Sequence, residues 1–141
     1  MILIDVNVLV YAHREDAADH VRFRKWLDAQ IGRDEAFGVS ELVLSAFLRV
    51  VTHPRVFQPP TPQPVAIAFC QYLLDQPNAV VVSPGARHWS IFTNLCLGAK
   101  ARGDLVADAY LAALAIESGC EWITLDRDFS RFPGLRSRQP F

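Results

Sequence analysis

Short apolar runs alternate along the chain with longer segments of helical periodicity. Three runs have the length and composition of buried strands, at residues 1–4, 79–82 and 122–125. A fourth run, at residues 36–39, also fits a short strand. Because short strands that alternate with helices form parallel sheets covered on both faces, the pattern predicts an α/β fold, a three-layer α/β/α sandwich with a central parallel sheet.

The segments between these runs predict helices of different kinds. Residues 17–31 mix apolar and charged positions as an amphipathic surface helix does. Residues 42–51 are apolar on nearly every side, which indicates a helix that is deeply buried or lies against a partner. Five of the nine prolines lie within residues 53–64, so a stiff loop is predicted there. Further helices are predicted at residues 6–12, 65–74, 84–100 and 106–117.

Length and cysteine content bound the class of protein. The 141 residues predict one domain, 1–141, with a core of its own. The three cysteines are far apart and form no CxxC pair, so we expect reduced thiols rather than a zinc site or disulfides. Asp5 interrupts the first apolar run, and no run approaches the roughly 20 apolar residues of a membrane span. We therefore expect a soluble, cytoplasmic protein.

The charge balance is close to neutral. Fourteen Lys and Arg face 15 Asp and Glu, for a formal net charge of -1. This balance argues against a protein that coats nucleic acid by bulk positive charge. It leaves room for a local basic rim.

Acidic residues follow the predicted strands or begin the predicted helices. Asp5 and Asp126 each come directly at the end of a strand, so both carboxylates would emerge at the same edge of a parallel sheet. Asp104 and Asp108 are four residues apart, a spacing that places both on one side of a helix. Glu41 lies in the first turn of another predicted helix. The sequence thus predicts several carboxylates in one crevice.

Such a cluster needs a cation, because converging carboxylates repel one another and shift their own pKa values. Mg²⁺ and Mn²⁺ take oxygen ligands and keep several waters. A bound ion of this kind lowers the pKa of water and holds a phosphate for attack. The cluster therefore indicates metal-assisted phosphodiester hydrolysis. Taken singly, most of these acids also fit helix N-caps or first-turn charges, which is the structural alternative for each.

Three motifs resemble those of the PIN-domain nucleases. The opening Ile-Leu-Ile-Asp5-Val-Asn7 resembles the first motif of that family, the segment from Asp104 to Ala115 its third acidic motif, and Ile123-Thr-Leu-Asp126-Arg-Asp-Phe its closing motif. Length and motif order agree, so the resemblance covers essentially the whole chain. Within the family, the chain is most similar to the VapC toxins of bacterial toxin–antitoxin pairs. Residues 48–57 are similar to one VapC subgroup.

The resemblance implies an endoribonuclease that depends on Mg²⁺, for which Mn²⁺ can substitute, and that acts as the toxic component of its pair. Asn7 and Thr124 would orient the ligands from a second layer. The implied catalytic residues are Asp5, Glu41, Asp108 and Asp126, and the implied metal ligands are Asp5, Asp108, Asp126 and Asp104.

One position departs from the family pattern. Many members carry a Glu inside the helix that follows the second strand. When Ala46-Phe47-Leu48-Arg49 is laid on the usual Ala-Glu-Leu-Arg, Phe47 falls on that position. We expect Glu41, the only acid on this helix, to reach the pocket from the helix start.

The substrate and partners follow from the same resemblance. Arginine makes bidentate contacts with phosphate, so basic residues at the rim are expected to hold RNA. VapC toxins are held inactive by a VapB antitoxin, and the apolar helix at residues 42–51 would suit its hydrophobic face. Family members also pair as homodimers and form heterotetramers or larger assemblies with the antitoxin. Arginines crowd the end of the chain after Asp126, at positions 127, 131, 136 and 138. The arginines expected at the rim are Arg14, Arg49, Arg127 and Arg131.

Two other classes of function remain open at this point. A phosphatase of the haloacid dehalogenase type also places an Asp after its first strand, but its second Asp is replaced here by Asn7, which cannot act as an acid or base. A PIN-like binding module that has lost catalysis would fit the displaced Glu. Metal-dependent RNA cleavage that is sensitive to Asp5→Asn separates the nuclease from both.

Overall fold

A computed structural model of the chain describes all 141 residues and contains a five-stranded parallel sheet. The strands lie in the order β3-β2-β1-β4-β5. Every neighbouring pair is parallel. The predicted α/β fold with a central parallel sheet is therefore confirmed. The strands are β1 (Ile2–Ile4), β2 (Phe37–Val39), β3 (Ala79–Val81), β4 (Glu121–Ile123) and β5 (Ser137–Arg138).

Six α-helices and one 3₁₀ helix connect and cover the strands. Ser40 caps the third α-helix, its hydroxyl accepting a hydrogen bond of 3.4 Å from the Val43 N–H. No helix is long and apolar enough to cross a membrane. The α-helices are α1 (Val6–His13), α2 (His20–Ile31), α3 (Glu41–Val51), α4 (Gln63–Leu74), α5 (His88–Ala99) and α6 (Asp104–Ser118), and the 3₁₀ helix spans Arg127–Arg131.

The register between β1 and β4 positions the candidate site. Ile4 lies opposite Ile123, and the Asp5 N–H donates a hydrogen bond of 2.9 Å to the Ile123 carbonyl. The residues that follow these two strands, Asp5 and Thr124, therefore meet at the carboxyl edge of the sheet. Side chains from the strands and the covering helices form one core of 30 buried residues beneath that edge.

The strand prediction is wrong in one respect, the burial of residues 79–82. β3 is an edge strand with a single neighbour, β2. Val80 and Val81 are 43% and 49% exposed, whereas Val82, just after the strand, is buried. An apolar run alone does not distinguish an edge strand from a central one, because the second neighbour is decided by the topology.

The prediction also omitted two short elements near the end of the chain. Arg127–Arg131 is a 3₁₀ helix and Ser137–Arg138 is the fifth strand. A two-residue strand is too short to show a period of two, and its residues are polar and exposed.

Three helices begin at residues other than those predicted from the sequence. α4 begins at Gln63 rather than residue 65, with Pro64 in the first turn, where its missing N–H costs nothing. α6 begins at Asp104, two residues earlier than predicted. α5 begins at His88 instead of residue 84, because the preceding loop is fixed by Glu117, whose carboxylate accepts hydrogen bonds from the Gly85 and Arg87 N–H groups at 2.6 and 2.9 Å.

The three cysteines are free. Cys70 and Cys120 are buried and Cys96 is half-buried. Burial raises the pKa of the Cys70 thiol to about 11. That thiol therefore stays protonated at neutral pH and behaves as a small apolar side chain.

Candidate active site

Asp5 is a buried carboxylate at the end of the central strand β1. It is 6% exposed and forms the N-cap of α1, with its Oδ1 accepting a hydrogen bond of 2.7 Å from the Val6 N–H. Burial raises the pKa of Asp5, the Asp126 charge adds to that effect, and hydrogen bonds from Thr124, Val6 and Asn7 oppose it. The N-cap explanation is thus correct, but one N-cap hydrogen bond does not use the second carboxylate oxygen.

Two polar side chains, those of Thr124 and Asn7, hold that second oxygen. Oδ2 of Asp5 accepts from the Thr124 hydroxyl at 2.5 Å and from the Asn7 amide at 3.1 Å. The Asn7 amide also lies 3.3 Å from the Thr124 hydroxyl, and the Asn7 Oδ1 accepts from the Leu125 N–H at 3.3 Å. The Thr124 hydroxyl in turn accepts from the Asp126 N–H at 3.0 Å. The structure therefore brings Asn7 and Thr124 together with Asp5, and it fixes the orientation of the Asp5 carboxylate.

Asp108 lies on α6 close enough to the other acids to feel their charge. Its side chain is half-buried, and desolvation raises the pKa of Asp108 to about 6, with the charges of Asp126, Asp5, Asp128 and Asp104 adding to the shift. Asp104, one helical turn earlier, is the first residue of α6 and is exposed; Gly103 occupies the N-cap position. A helix interior disfavours Asp, so the position of Asp108 is unfavourable for folding.

Asp126 is placed by the turn that follows β4. Its side chain caps the 3₁₀ helix, accepting a hydrogen bond of 2.8 Å from the Asp128 N–H. The carboxylate thus has a structural partner, as the alternative explanation anticipated, while its charge reaches both Asp5 and Asp108. Three of the predicted acids are therefore electrostatically coupled at one edge of the sheet.

Glu41 is the first residue of α3 and is exposed. It follows β2, the strand beside β1, so its backbone lies at the same carboxyl edge as Asp5. Its carboxylate makes no side-chain hydrogen bond and no ion pair. Phe47 is fully buried and packs against His13 and Phe69, with ring centroids 5.3 and 5.1 Å apart. Position 47 therefore faces the core and supplies no ligand.

The four predicted RNA-binding arginines have different surroundings. Arg14 is engaged within the fold, since it pairs with Asp16 at 2.6 Å and its guanidinium lies 4.3 Å above the Phe57 ring. Arg131 is exposed and lies 3.5 Å from Asp128. Arg127 lines a small recess next to Asp126, and Arg49 lines an apolar groove beside α3. Only Arg127 adjoins the acids directly with a guanidinium that has no partner in the chain.

The donor set fits a hard divalent cation. None of the four acids predicted as ligands pairs with Lys or Arg, so their charge is uncompensated within the chain. No three His, Cys, Asp or Glu side chains lie close enough together to enclose an ion by themselves. Mg²⁺ does not need such a cage, because it binds through one or two carboxylates and keeps waters and substrate phosphate as its other ligands.

An apolar groove of about 600 Å³ adjoins the acids. It runs between α3 and α6, and Val6 and Ala107, the neighbours of Asp5 and Asp108, are among its lining residues. Leu42, at the groove, is 48% exposed. The side of α3 that lines the groove is the one that does not pack into the core.

Arg138, one of the arginines that crowd the end of the chain, lines the same recess as Arg127 and Asp126. Its place is decided by β5, which pairs with β4 and puts Arg138 opposite Ile123. The run of arginines near the end of the chain was a signal, but the strand that places this one was not predicted.

Comparisons with known proteins agree with this arrangement. A family model described as PIN domain matches residues 2–135. Over 140 residues the chain is 44% identical to Ribonuclease VapC25 of Mycobacterium tuberculosis, with 99% of each chain covered. It is also 44% identical over 140 residues to VapC ribonuclease Mb2897 of Mycobacterium bovis, with 99% of this chain and 95% of that relative covered.

Solved structures share the fold at low sequence identity. VapBC2 from Rickettsia felis, bound to a DNA fragment from its promoter, matches with a TM-score of 0.70 and 17% identity over 99% of this chain and 98% of that one. VapC20 of Mycobacterium tuberculosis, described as a Sarcin-Ricin loop cleaving toxin, matches with a TM-score of 0.68 and 16% identity over 96% of this chain and 99% of that one. At such identities the likeness concerns the fold alone.

Proposed function

The chain belongs to the PIN-domain family, and on that premise we propose that it is a VapC-type endoribonuclease, the toxic component of a toxin–antitoxin pair. The observation that carries the proposal is the buried Asp5 carboxylate, held by Thr124 and Asn7 and close to the charges of Asp108 and Asp126, with none of the three acids in an ion pair. A purely structural cluster would not leave this charge uncompensated.

We propose that the cluster binds Mg²⁺, with Mn²⁺ as a substitute. Asp5 and Asp108 would be the principal ligands, with Asp126 completing the site directly or through a water and Asp104 as a further acid. When bound, the ion lowers the pKa of a water molecule and neutralises the scissile phosphate. The raised pKa values of Asp5 and Asp108 support this assignment, because burial and, to a lesser degree, the neighbouring carboxylates disfavour the charged forms, and a bound cation would offset both effects.

The protein's own residues would orient and deprotonate the reactants. Thr124 and Asn7 hold the Asp5 carboxylate in one orientation through Oδ2, and Oδ1 accepts a hydrogen bond only from the Val6 N–H. Glu41 or Asp126 would accept a proton from the attacking water. Hydrolysis of this kind leaves a 5′-phosphate and a 3′-hydroxyl.

We propose a VapB-type antitoxin as the protein partner. Its support is the groove of about 600 Å³ between α3 and α6, which is lined mainly by apolar side chains and adjoins the acids. An amphipathic segment seated there would bury Leu42 and lie next to the proposed metal site. One solved structure that shares the fold, from Klebsiella pneumoniae, is described as a toxin–antitoxin complex.

The competing proposal is a PIN-domain module that binds without cleaving, as the replacement of the helix Glu by Phe47 allows. The test is sequencing of RNA 5′ ends after expression of the wild type and of Asp5→Asn. We expect new 5′-phosphate ends and growth arrest with the wild type only. Asp34→Asn, a change at an exposed acid, is the matched control and should cleave like the wild type.

Purified protein provides the second half of the test. Cleavage should require added Mg²⁺ or Mn²⁺ and stop in excess chelator. Cleavage that survives both chelator and Asp5→Asn would overturn the metal mechanism. RNA binding with no cleavage by the wild type under any metal would favour the binding module.

A further inference from the structure

Two polar recesses lie along the outer strand of the sheet and share one residue. The first, of about 120 Å³, adjoins Asp126 and includes Arg127 and Arg138 in its lining. The second, of about 220 Å³, lies toward the amino ends of the strands and includes Arg33, Arg136 and again Arg138. Glu35 and Glu121 also line this second recess. Arg138 therefore connects the acidic cluster to a recess with three arginines and two glutamates at the opposite end of β5.

The strand geometry sets the spacing of these arginines. Arg136 and Arg138 are two residues apart on an extended edge segment, so their side chains lie on one face, about 6.6 Å apart along the strand. The Trp122 N–H bonds to the Arg136 carbonyl and the Thr124 N–H to the Arg138 carbonyl. The line of arginines thus runs parallel to β4, with its end at the acids, and its spacing is that of neighbouring phosphates in an extended single strand.

Several of these guanidinium groups have N–H donors that make no hydrogen bond within the chain. Arg127 and Arg33 make no hydrogen bond or ion pair through their side chains. Arg138 pairs with Glu121 at 3.2 Å, and Arg136 donates one hydrogen bond of 2.8 Å to the Gly119 carbonyl, which leaves most of the five donors of each group free.

The second recess also contains a polar group without a partner. Gln30 lines it, is only 7% exposed, and its side-chain amide makes no hydrogen bond within the chain. The polar atoms of this amide are open to the recess, so they are available to a ligand there. Its donor and acceptor suit the base edge or ribose hydroxyl of a nucleotide.

We infer that single-stranded RNA leaves the acidic cluster along this outer strand, with its phosphates on Arg127, Arg138 and Arg136 and one nucleotide seated in the recess formed by Arg33 and Gln30. The inference rests on the proposed ribonuclease function and adds a binding track on the β5 side of the scissile phosphate. Contacts of this type hold the backbone by charge, and the recess adds contacts to a nucleoside.

Binding of labelled oligoribonucleotides to the full chain in chelator tests the track. One probe of about 4 nucleotides spans the acidic cluster only, and one of about 12 nucleotides also reaches the second recess. Fluorescence anisotropy at several salt concentrations gives the affinity and its salt slope for Arg138→Gln, Arg33→Gln and Gln30→Met. The matched control is Arg24→Gln, whose arginine pairs with Asp28 on the surface of α2.

We expect Arg33→Gln to weaken binding of the longer RNA by about threefold or more and to lower its salt slope by about one, with the shorter RNA unaffected. Gln30→Met should weaken only the longer RNA without changing the slope. Arg138→Gln should weaken both probes, and Arg24→Gln neither. Melting temperatures of all variants separate these effects from unfolding.

Wild-type affinity for the longer RNA in both Arg33→Gln and Arg138→Gln, alongside normal cleavage by the wild type, would overturn the track and leave the ribonuclease intact. Weaker binding of an acidic peptide, but not of RNA, by the same variants would assign the recesses to a protein instead. A wild type that cleaves no RNA with any divalent metal would overturn the proposed function, and the track with it.

Discussion

The Thr124 hydroxyl donates a hydrogen bond of 2.5 Å to Oδ2 of Asp5, joining two residues that are 119 positions apart in the sequence. The same hydroxyl accepts from the Asp126 N–H, so a single oxygen links the end of β1 to the turn that carries another acid. This contact exists because β1 and β4 are parallel neighbours in register. It fixes the Asp5 carboxylate before any ligand arrives.

Replacing Thr124 by Val should lower RNA cleavage by about tenfold or more, as loss of an orienting hydrogen bond to a metal ligand typically does. The variant leaves the buried Asp5 with one donor fewer, which raises the pKa of Asp5 further and weakens Mg²⁺ binding. Thr124→Ser keeps the hydroxyl and should retain most activity. Initial cleavage rates over a Mg²⁺ titration check this, and equal rates in Val and Ser variants would refute the orienting role.

Asp108 should make the metal-free protein less stable as the pH rises. Its pKa is raised from 3.8 to about 6, so the folded state holds an extra proton between these values. The stabilisation is fully present below pH 3.8 and is lost as the pH rises through about 6. In chelator at pH 7, Asp108→Asn should therefore raise the free energy of unfolding by roughly 1–2 kcal/mol.

Addition of Mg²⁺ should make the wild type more stable than Asp108→Asn, the reverse of the order expected in chelator. The wild type should gain stability from the ion and Asp108→Asn should gain little, while the variant loses cleavage. Urea unfolding at pH 5 and pH 7, with and without Mg²⁺, provides the measurement. An Asp108→Asn protein that is less stable than the wild type in chelator at pH 7 would contradict the expectation.

The Glu117 carboxylate should stabilise the loop before α5 only when it is ionised. Its hydrogen bonds from the Gly85 and Arg87 N–H groups lower the pKa of Glu117, the Gly85 bond contributing most. The sign is therefore opposite to that of Asp108: the stabilisation is present above the ordinary pKa of 4.5 and is lost as the pH falls below it.

We expect Glu117→Ala to cost about 1 kcal/mol of unfolding free energy at pH 7 and much less at pH 3. Glu15→Gln, at an exposed acid without hydrogen bonds, is the control and should change neither value. Chemical unfolding at pH 7 and pH 3 distinguishes the loss of these hydrogen bonds, which depends on pH, from a loss of helix packing, which does not.

Glu41 and Phe47 allow a direct test of how this chain departs from the family pattern. Phe47→Glu restores the family residue, yet it buries a carboxylate against His13 and Phe69, so it should destabilise the protein by about 3 kcal/mol or more without raising activity. Glu41→Gln changes an exposed residue and should keep the melting temperature while lowering the cleavage rate. A gain of activity in Phe47→Glu would show that the role belongs to position 47.

The apolar groove predicts a separation of binding from catalysis. Leu42→Arg places a charge on a half-exposed position that lines the groove. It should weaken capture of the proposed VapB-type antitoxin by about tenfold or more and leave RNA cleavage by the isolated chain unchanged. Co-expression pull-downs measure capture of the partner, and cleavage assays on the same variant measure activity. Unchanged capture would show that the partner binds a different surface.

Local features of the sequence were sufficient for much of the fold. The runs around β1, β2 and β4 were predicted because each is short, apolar and bounded by polar residues. The long helices were predicted because apolar residues recur at helical spacing. The burial of β3 and the existence of β5 were missed, since both depend on which strands lie beside them.

The positions of the acids could be predicted from local sequence, whereas the contacts of the arginines could not. Asp5 and Asp126 were placed at one edge because the apolar pattern predicts a strand before each, and parallel strands end together. In the structure β4 ends at Ile123, and Asp126 follows in the turn. The arginines were harder to assign, since a guanidinium on the surface gives no local signal of its partner. Arg14 pairs with Asp16 and covers Phe57, whereas Arg138 reaches the recess beside Asp126.

The sequence by itself determined the type of fold, the edge at which the chemistry lies and the residue types that supply it, because strand ends and helix starts are local properties of the chain. Only the tertiary structure decided that Thr124 and Asn7 hold Asp5, that Phe47 faces the core and that Arg138 joins two recesses along β5. Each of these depends on contacts between residues distant in sequence, which are fixed by register and packing rather than by local pattern.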